Sequence, residues 1–316
     1  MKKTLIASAI AATLSPGAFA MDNATDIAEQ LNSMPQIYGN IQVVYAATED
    51  GADATTNGVE DNESTIGFKH SHEISEGVTG FAKIEFEFSA DENSSGLNKT
   101  DEVYLGVRGD FGSIQYGNDE TVYEWVDMVD TSEYTGLAGE IATTVEAENL
   151  QYVSPEIAEG LVLGLTLPVE SDSNFGGALA AKYTMDNLEV VLAYGMGRDD
   201  SGALSAGGAE DTIGLAGSFT MDDLTLIAQY ENQTDTLDFI GLQAMYAMDA
   251  NQFVLGYGMK SFDAAGSEDE STIALQALHN VSSNMYVYLE YTMAADIDGN
   301  DGNDLDTLAL GAAYSF

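Results

Sequence analysis

What most constrains this chain is a unit repeated from Gln36 to the last residue: roughly ten residues of alternating apolar and polar character, then a connection that is short and long by turns. In Phe81-Ala82-Lys83-Ile84-Glu85-Phe86-Glu87-Phe88, extended geometry puts Ala82, Ile84, Phe86 and Phe88 on one face and Lys83, Glu85 and Glu87 on the other. The same parity sets Val103, Leu105 and Val107 against Tyr104 and Arg108, and Phe253, Leu255, Tyr257 and Met259 against Gly256, Gly258 and Lys260. Val287, Leu289, Tyr291 and Met293 oppose Tyr288, Glu290 and Thr292 in the same way. A soluble β-sandwich also alternates, with a polar outer face and a dry inner one. The connections separate the two. Short turns such as Ser75-Glu76-Gly77, Met185-Asp186-Asn187 and Met221-Asp222-Asp223 alternate with loops near 49–63, 90–99, 117–147, 198–209, 263–270 and 295–304. Transmembrane barrels have this asymmetry, with short periplasmic turns and long external loops.

The segments number about sixteen, an even count that returns the C-terminus to the side where the first strand began. Such a sheet must close, because an open edge in hydrocarbon strands unpaired N–H and C=O groups at several kcal/mol each. Closure at this size leaves an aqueous lumen. The expected fold is therefore all-β, a transmembrane antiparallel β-barrel over residues 36–316. Beyond the opening residues no apolar run reaches the eighteen or so that a spanning helix needs. Met1-Lys2-Lys3, the apolar run Leu5 to Leu14 and Ala18-Phe19-Ala20 have the three parts of a secretory signal peptide, with cleavage after Ala20. Residues 21–35 are then a periplasmic N-terminal segment to which no role is assigned.

The chain carries 53 acidic and 9 basic residues, a formal charge of −44. Nucleic-acid binding needs clustered Lys and Arg and is excluded. So acidic a surface suits a saline, halophilic setting in which counter-ions screen self-repulsion. With no cysteine, thiol and thiolate-metal chemistry is excluded too. The run Asp296-Ile297-Asp298-Gly299-Asn300-Asp301-Gly302-Asn303-Asp304 has oxygen ligands at alternate positions, but Asp301 stands where a calcium loop of the EF-hand type needs Gly. His70 and His72 share a strand face, with only His279 besides, which is a poor basis for a metal site or a hydrolase. Neither a Walker loop nor a dinucleotide fingerprint is present. No catalytic residue, metal site or cofactor is expected.

Several stretches resemble the Gram-negative general porins, the trimeric sixteen-stranded outer-membrane diffusion pores. They are Ile37-Tyr38-Gly39-Asn40, Ser64-Thr65-Ile66-Gly67-Phe68-Lys69, Tyr104-Leu105-Gly106-Val107-Arg108-Gly109-Asp110-Phe111-Gly112-Ser113, Asn149-Leu150-Gln151-Tyr152-Val153-Ser154-Pro155-Glu156 and the terminal Tyr314-Ser315-Phe316. They occur in order from about Gln36 to Phe316. The resemblance implies a homotrimer in the outer membrane of a Gram-negative bacterium, in contact with its lipid, passing small hydrophilic solutes and ions by passive diffusion. It also implies that the third external loop folds into the lumen and sets the constriction.

The matching loop, Asn118 to Glu148, supplies Asp119, Glu120, Glu124, Asp127, Asp130 and Glu133 as constriction candidates, and Glu133-Tyr134-Thr135-Gly136 resembles the family's loop tip. In the family a basic wall cluster faces that loop. Here Asn40, Thr65 and Asn118 stand at three of those positions, and Glu146 or Glu148 at a fourth. By parity the basic residues left for the pore wall are Lys69, Lys83, Arg108, Lys182 and Lys260. Carboxylates without a matching basic cluster predict a preference for cations. The alternatives are a barrel specific for one solute class, such as sugars or peptides, and an outer-membrane enzyme or adhesin. A sugar-specific pore would want a file of lumen-facing aromatics; Tyr104 and Tyr288 are candidates by parity, but two do not make a file.

Overall fold

The computed structural model describes residues 34–51, 54–92, 96–137, 141, 145–169, 175–197 and 210–316. The expected signal peptide lies outside them, as do most of the 21–35 segment, the 198–209 loop and Glu140. The strands are β1 (Gln36–Asp50), β2 (Thr55–Asp61), β3 (Thr65–Ser75), β4 (Val78–Phe88), β5 (Leu97–Gly109), β6 (Gly112–Asn118), β7 (Asn149–Val153), β8 (Leu161–Pro168) and β9 (Phe175–Met185). They continue as β10 (Leu188–Gly197), β11 (Thr212–Met221), β12 (Leu224–Gln233), β13 (Leu237–Met248), β14 (Asn251–Phe262), β15 (Glu270–Ser282), β16 (Met285–Ala295) and β17 (Leu305–Ser315).

Apart from β2 and β3, each strand pairs antiparallel with its sequence neighbour, and β17 returns to β1, with Asn40 opposite Ser315 and Asp50 opposite Leu305. The terminal residue seals the seam: Phe316 and Gly39 exchange backbone hydrogen bonds of 3.0 and 3.1 Å. β2 and β3 both pair with β1, at Val43–Glu49 and Gln36–Asn40, so they are two halves of one stave broken at Asn62-Glu63-Ser64. The barrel is a closed antiparallel one of sixteen staves. This corrects the expected loop at 49–63. From Thr55 to Glu60 every residue is exposed. A strand wetted on both faces has no reason to alternate, and its sequence reads as a loop.

The two faces of each strand meet different surroundings. Ile37, Leu105, Leu163, Leu215, Leu255, Leu289 and Leu310 are exposed on the outside, whereas Gln42, Thr166, Gln229, Glu231, Gln243, Gln276 and Glu290 are buried within. This inversion of a soluble protein's pattern is what hydrocarbon outside and water inside demand. At the long-loop rim three outward tyrosines are supplied with carboxylates: Tyr194 donates to Asp211 at 2.5 Å, Tyr230 to Asp238 at 2.7 Å and Tyr291 to Asp306 at 3.0 Å. Their rings can sit in the apolar band while each hydroxyl stays satisfied. At the opposite rim, Asp186, Asp222 and Asp249 open two-residue hairpins with φ of 50, 51 and 53°. Asp tolerates this left-handed conformation better than most side chains, and it matches the twist of the flanking strands.

Candidate functional site

The segment after β6 turns inward. Thr121 starts a short 3-10 helix, Val122–Val126, through reciprocal bonds: its hydroxyl accepts the Tyr123 N–H at 3.3 Å, and the Glu124 carboxylate accepts the Thr121 N–H at 2.9 Å. Val122, Tyr123 and Val126 then pack on Ala178, Ala180, Val191, Ala193 and Ala216, inward residues of β9, β10 and β11. Val129 and Leu137 pack farther round, on Ile227, Phe239 and Ala274. The wall leaves room because its inward residues there are small. A Cβ at Gly214 would lie 2.9 Å from Val126, one at Gly241 2.7 Å from Val129, and one at Gly256 2.8 Å from Leu137. Each buried apolar side chain contributes on the order of 1.5–3 kcal/mol, so the loop is packed as a core is packed.

Hydrogen bonds fix the loop along its length. The Val122 N–H donates to Thr166 Oγ1 at 3.0 Å, and Tyr123 Oη to the buried Glu231 at 2.5 Å. Gln229 Oε1 accepts the N–H groups of Met128 and Val129, at 2.9 and 3.2 Å. Gln243 donates to the Val129 carbonyl at 2.7 Å and accepts the Thr131 hydroxyl at 2.8 Å. At the tip, Glu290 accepts three backbone N–H groups, from Glu133, Tyr134 and Thr135, at 2.6, 3.1 and 2.9 Å. The Glu133 carboxylate accepts Tyr286 Oη at 2.6 Å, and Tyr134 Oη donates to Glu60. The loop thus lies against the inner faces of β8 to β16 and reaches β2, leaving the wall of β3 to β6 uncovered by these contacts.

The six acidic candidates do different things. Asp119 leaves β6 with its carboxylate bonded by the Gln115 amide, and Glu120 is exposed. Burial pushes Asp119 up to about 6 against that hydrogen bond, and the charge of Glu102 adds to the rise. Glu124 is buried in the capping box, and burial pushes it up to about 7 despite the Thr121 N–H. Asp127 ends the 3-10 helix, its N–H donating to the Glu124 carbonyl at 3.1 Å, and Asp130 lies against Gly136. Glu133 anchors the tip.

The five basic candidates divide between two walls. Lys69 and Lys83 lie 5.1 and 5.6 Å from the centre of the Tyr38 ring, and Arg108 lies 5.5 Å from that of Phe81, all on the β1 and β3 to β5 side. Lys182 sits 4.8 Å from the Trp125 ring under the loop, and Lys260 pairs with Glu270 at 3.9 Å. Sequence reasoning missed the carboxylates that face them. Glu85, Asp101 and Glu102 bring carboxylate oxygens within 4.8 Å of one another, with Lys83 paired to Glu102 and 4.0 Å from Glu85. It also missed Glu231 as an anchor. Parity placed Glu85 and Glu290 on the right face, but it gave no signal that one belonged to a cluster and the other held a loop.

Comparison with known proteins agrees with this geometry. The Gram-negative porin family pattern matches residues 7–301. A protein of a Halomonas species named monosaccharide porin is 30% identical, with both chains covered over 100% of their length. Among solved structures, the anion-selective porin from Comamonas acidovorans superposes with a TM-score of 0.74 at 15% identity, over 90% of this chain and 99% of that one. OmpT of Vibrio cholerae in its trimer form superposes with a TM-score of 0.67 at 16% identity, over 90% and 99%. At such identities the structural likeness speaks for the fold alone. The sequence match carries the further conclusion that this chain belongs to the Gram-negative porin family and is a porin of the outer membrane.

Proposed function

We propose that this porin is a water-filled channel for passive diffusion of small hydrophilic solutes and ions, that it prefers cations, and that it works as a homotrimer. The observation that carries the cation preference is the concentration of carboxylates on the open wall of the lumen: Glu85, Asp101 and Glu102 in one cluster, and Asp119 close to Glu102 where the inserted loop leaves β6. Lys83, the cation nearest this cluster, is already paired with Glu102. Fixed negative charge at a constriction concentrates cations and repels anions. A shared fold does not set the sign of selectivity, since an anion-selective porin has the same barrel; the lining side chains do. The trimer form of the similar OmpT supports the proposed assembly.

Reversal potentials across a planar bilayer under a potassium chloride gradient test the proposal. A cation-preferring potential is expected, larger at 0.1 M than at 1 M, because the screening length shrinks from about 10 to about 3 Å. A clear anion preference at low salt would end it. Triplet closing steps are expected from three pores in one complex. A second reading, a sugar-preferring channel, draws support from the Halomonas relative's name. Saturable conductance block by glucose would favour it over general diffusion.

A further inference from the structure

Of the nine basic residues two, Lys2 and Lys3, fall in the expected signal peptide; of the remaining seven, three line one cavity. Lys69, Lys83 and Arg108 share a space of about 480 Å³ with Phe81, Tyr104 and Gln115. In a chain so short of cations this concentration is conspicuous. Lys83 is held by Glu102, but among the described residues neither Lys69 nor Arg108 has a carboxylate within ion-pair distance. Arg108 stands next to the hairpin between β5 and β6, opposite Thr79 and Ser113, and Lys69 pairs with Gln36 at the start of β1. The cavity is therefore on the short-turn side of the lumen, whereas the inserted loop is bonded to residues such as Thr166 and Glu231, near the long-loop ends of their strands.

We infer that this cavity is a binding subsite for a small organic carboxylate, placed between the constriction and the periplasmic mouth. Lys69 and Arg108 supply uncommitted positive charge for the carboxylate. Arg108, with its planar fork, can engage both oxygens. The edge-to-face pair Phe81 and Tyr104, with ring centres 6.2 Å apart, offers an apolar surface for the carbon skeleton. The volume falls within the range of small-molecule sites and admits a six-carbon acid. Functionally, a solute that has passed acidic walls would meet attractive charge on the far side, and an organic anion entering from the periplasm would be retained there.

The inference rests on the channel reading, so the test separates the two. Wild-type channels in a planar bilayer are titrated with sodium gluconate, first on one side and then on the other, and block of the potassium current is read from current noise. Side-dependent, saturable block by gluconate and none by glucose is expected. The double variant Lys69→Gln/Arg108→Gln should still open channels in potassium chloride, at a conductance that the lost charge is free to change, and its resistance to unfolding in detergent shows that the barrel has folded. Its half-blocking gluconate concentration should rise about tenfold or more, the worth of a lost charge-assisted hydrogen bond. Lys99→Gln, whose side chain is largely exposed, should block like wild type. Equal block by glucose, equal block by inorganic phosphate, or an unchanged half-blocking concentration in the double variant would overturn the subsite while leaving the channel intact. A chain that gave no conductance at all would overturn both.

Discussion

Glu290, in the middle of β16, accepts the backbone N–H of Glu133 at 2.6 Å, across 157 residues of sequence. Two further N–H groups, from Tyr134 and Thr135, reach the same carboxylate. A carboxylate receiving three backbone donors from the loop fixes the orientation of the tip as well as its position, and hydrogen bonds to a charged group are worth about 1.5–3 kcal/mol each. Glu290→Ala should therefore release the tip. The expected outcome is greater open-channel noise and frequent conductance steps not seen in wild type. Glu290→Gln, which keeps an acceptor oxygen but loses the charge, should have an intermediate effect. Noise indistinguishable from wild type in the alanine variant would mean that packing alone holds the tip.

The glycine seats make a second prediction. At Gly241 a Cβ would stand 2.7 Å from Val129 Cγ2 and 3.0 Å from the Phe239 ring. Gly241→Val should push the loop away from the β13 wall, with an overpacking cost of about 1–3 kcal/mol, and alter single-channel conductance. Gly58, with nothing within 4 Å of its Cβ position, provides the control, and Gly58→Ala should conduct normally. Conductance unchanged in the valine variant would show that the loop does not rest on this seat.

These seats also mark where sequence reading stops. The barrel was legible because the solvent on each face dictates residue type: Leu255 outward and Gly256 inward follow from parity. What a given inward residue touches was not. Gly256 meets Leu137, more than a hundred positions away, and Glu231 meets Tyr123, and no local pattern encodes either contact. Likewise β2 was misread because both of its faces are wet, and the Glu85, Asp101 and Glu102 cluster escaped notice because a register irregularity between β4 and β5 disturbs simple parity there. Resemblance supplied the inserted loop. The division of labour among its carboxylates came only from their partners.

Acidity makes a third prediction, with opposite signs for charge and for stability. Asp119 and Glu124 have folded values near 6 and 7, above the roughly 4 of free carboxylates. The folded chain then binds more protons than the unfolded one between about pH 4 and pH 7. The stabilisation linked to these groups is complete below about pH 4 and is lost as pH rises through 6 to 7. Selectivity runs the other way, since the charge of Asp119 is present above about 6 and disappears below it. The cation-to-anion permeability ratio should fall between pH 8 and pH 5, with a midpoint near 6. Asp119→Asn should lower the ratio at pH 8 and flatten the curve. A ratio independent of pH in the wild type would exclude Asp119 from the selectivity-setting charge.

The fourth prediction uses the chain's single tryptophan. Trp125 lies in the inserted helix, packed with the Val122 and Val126 cluster and with Lys182 over its ring at 4.8 Å. All tryptophan fluorescence therefore comes from the loop on the inner wall, with a strand of the barrel between it and the lipid. Quenchers carried on lipid tails should leave the emission nearly unchanged, while acrylamide in the aqueous phase should quench it in part. Lys182→Gln removes a cation–π contact worth about 0.5–2 kcal/mol and should shift the emission and increase acrylamide access without altering detergent-stable folding. Strong quenching by brominated lipid would place the indole on the outer face, and the arrangement of loop and wall described above would then be wrong.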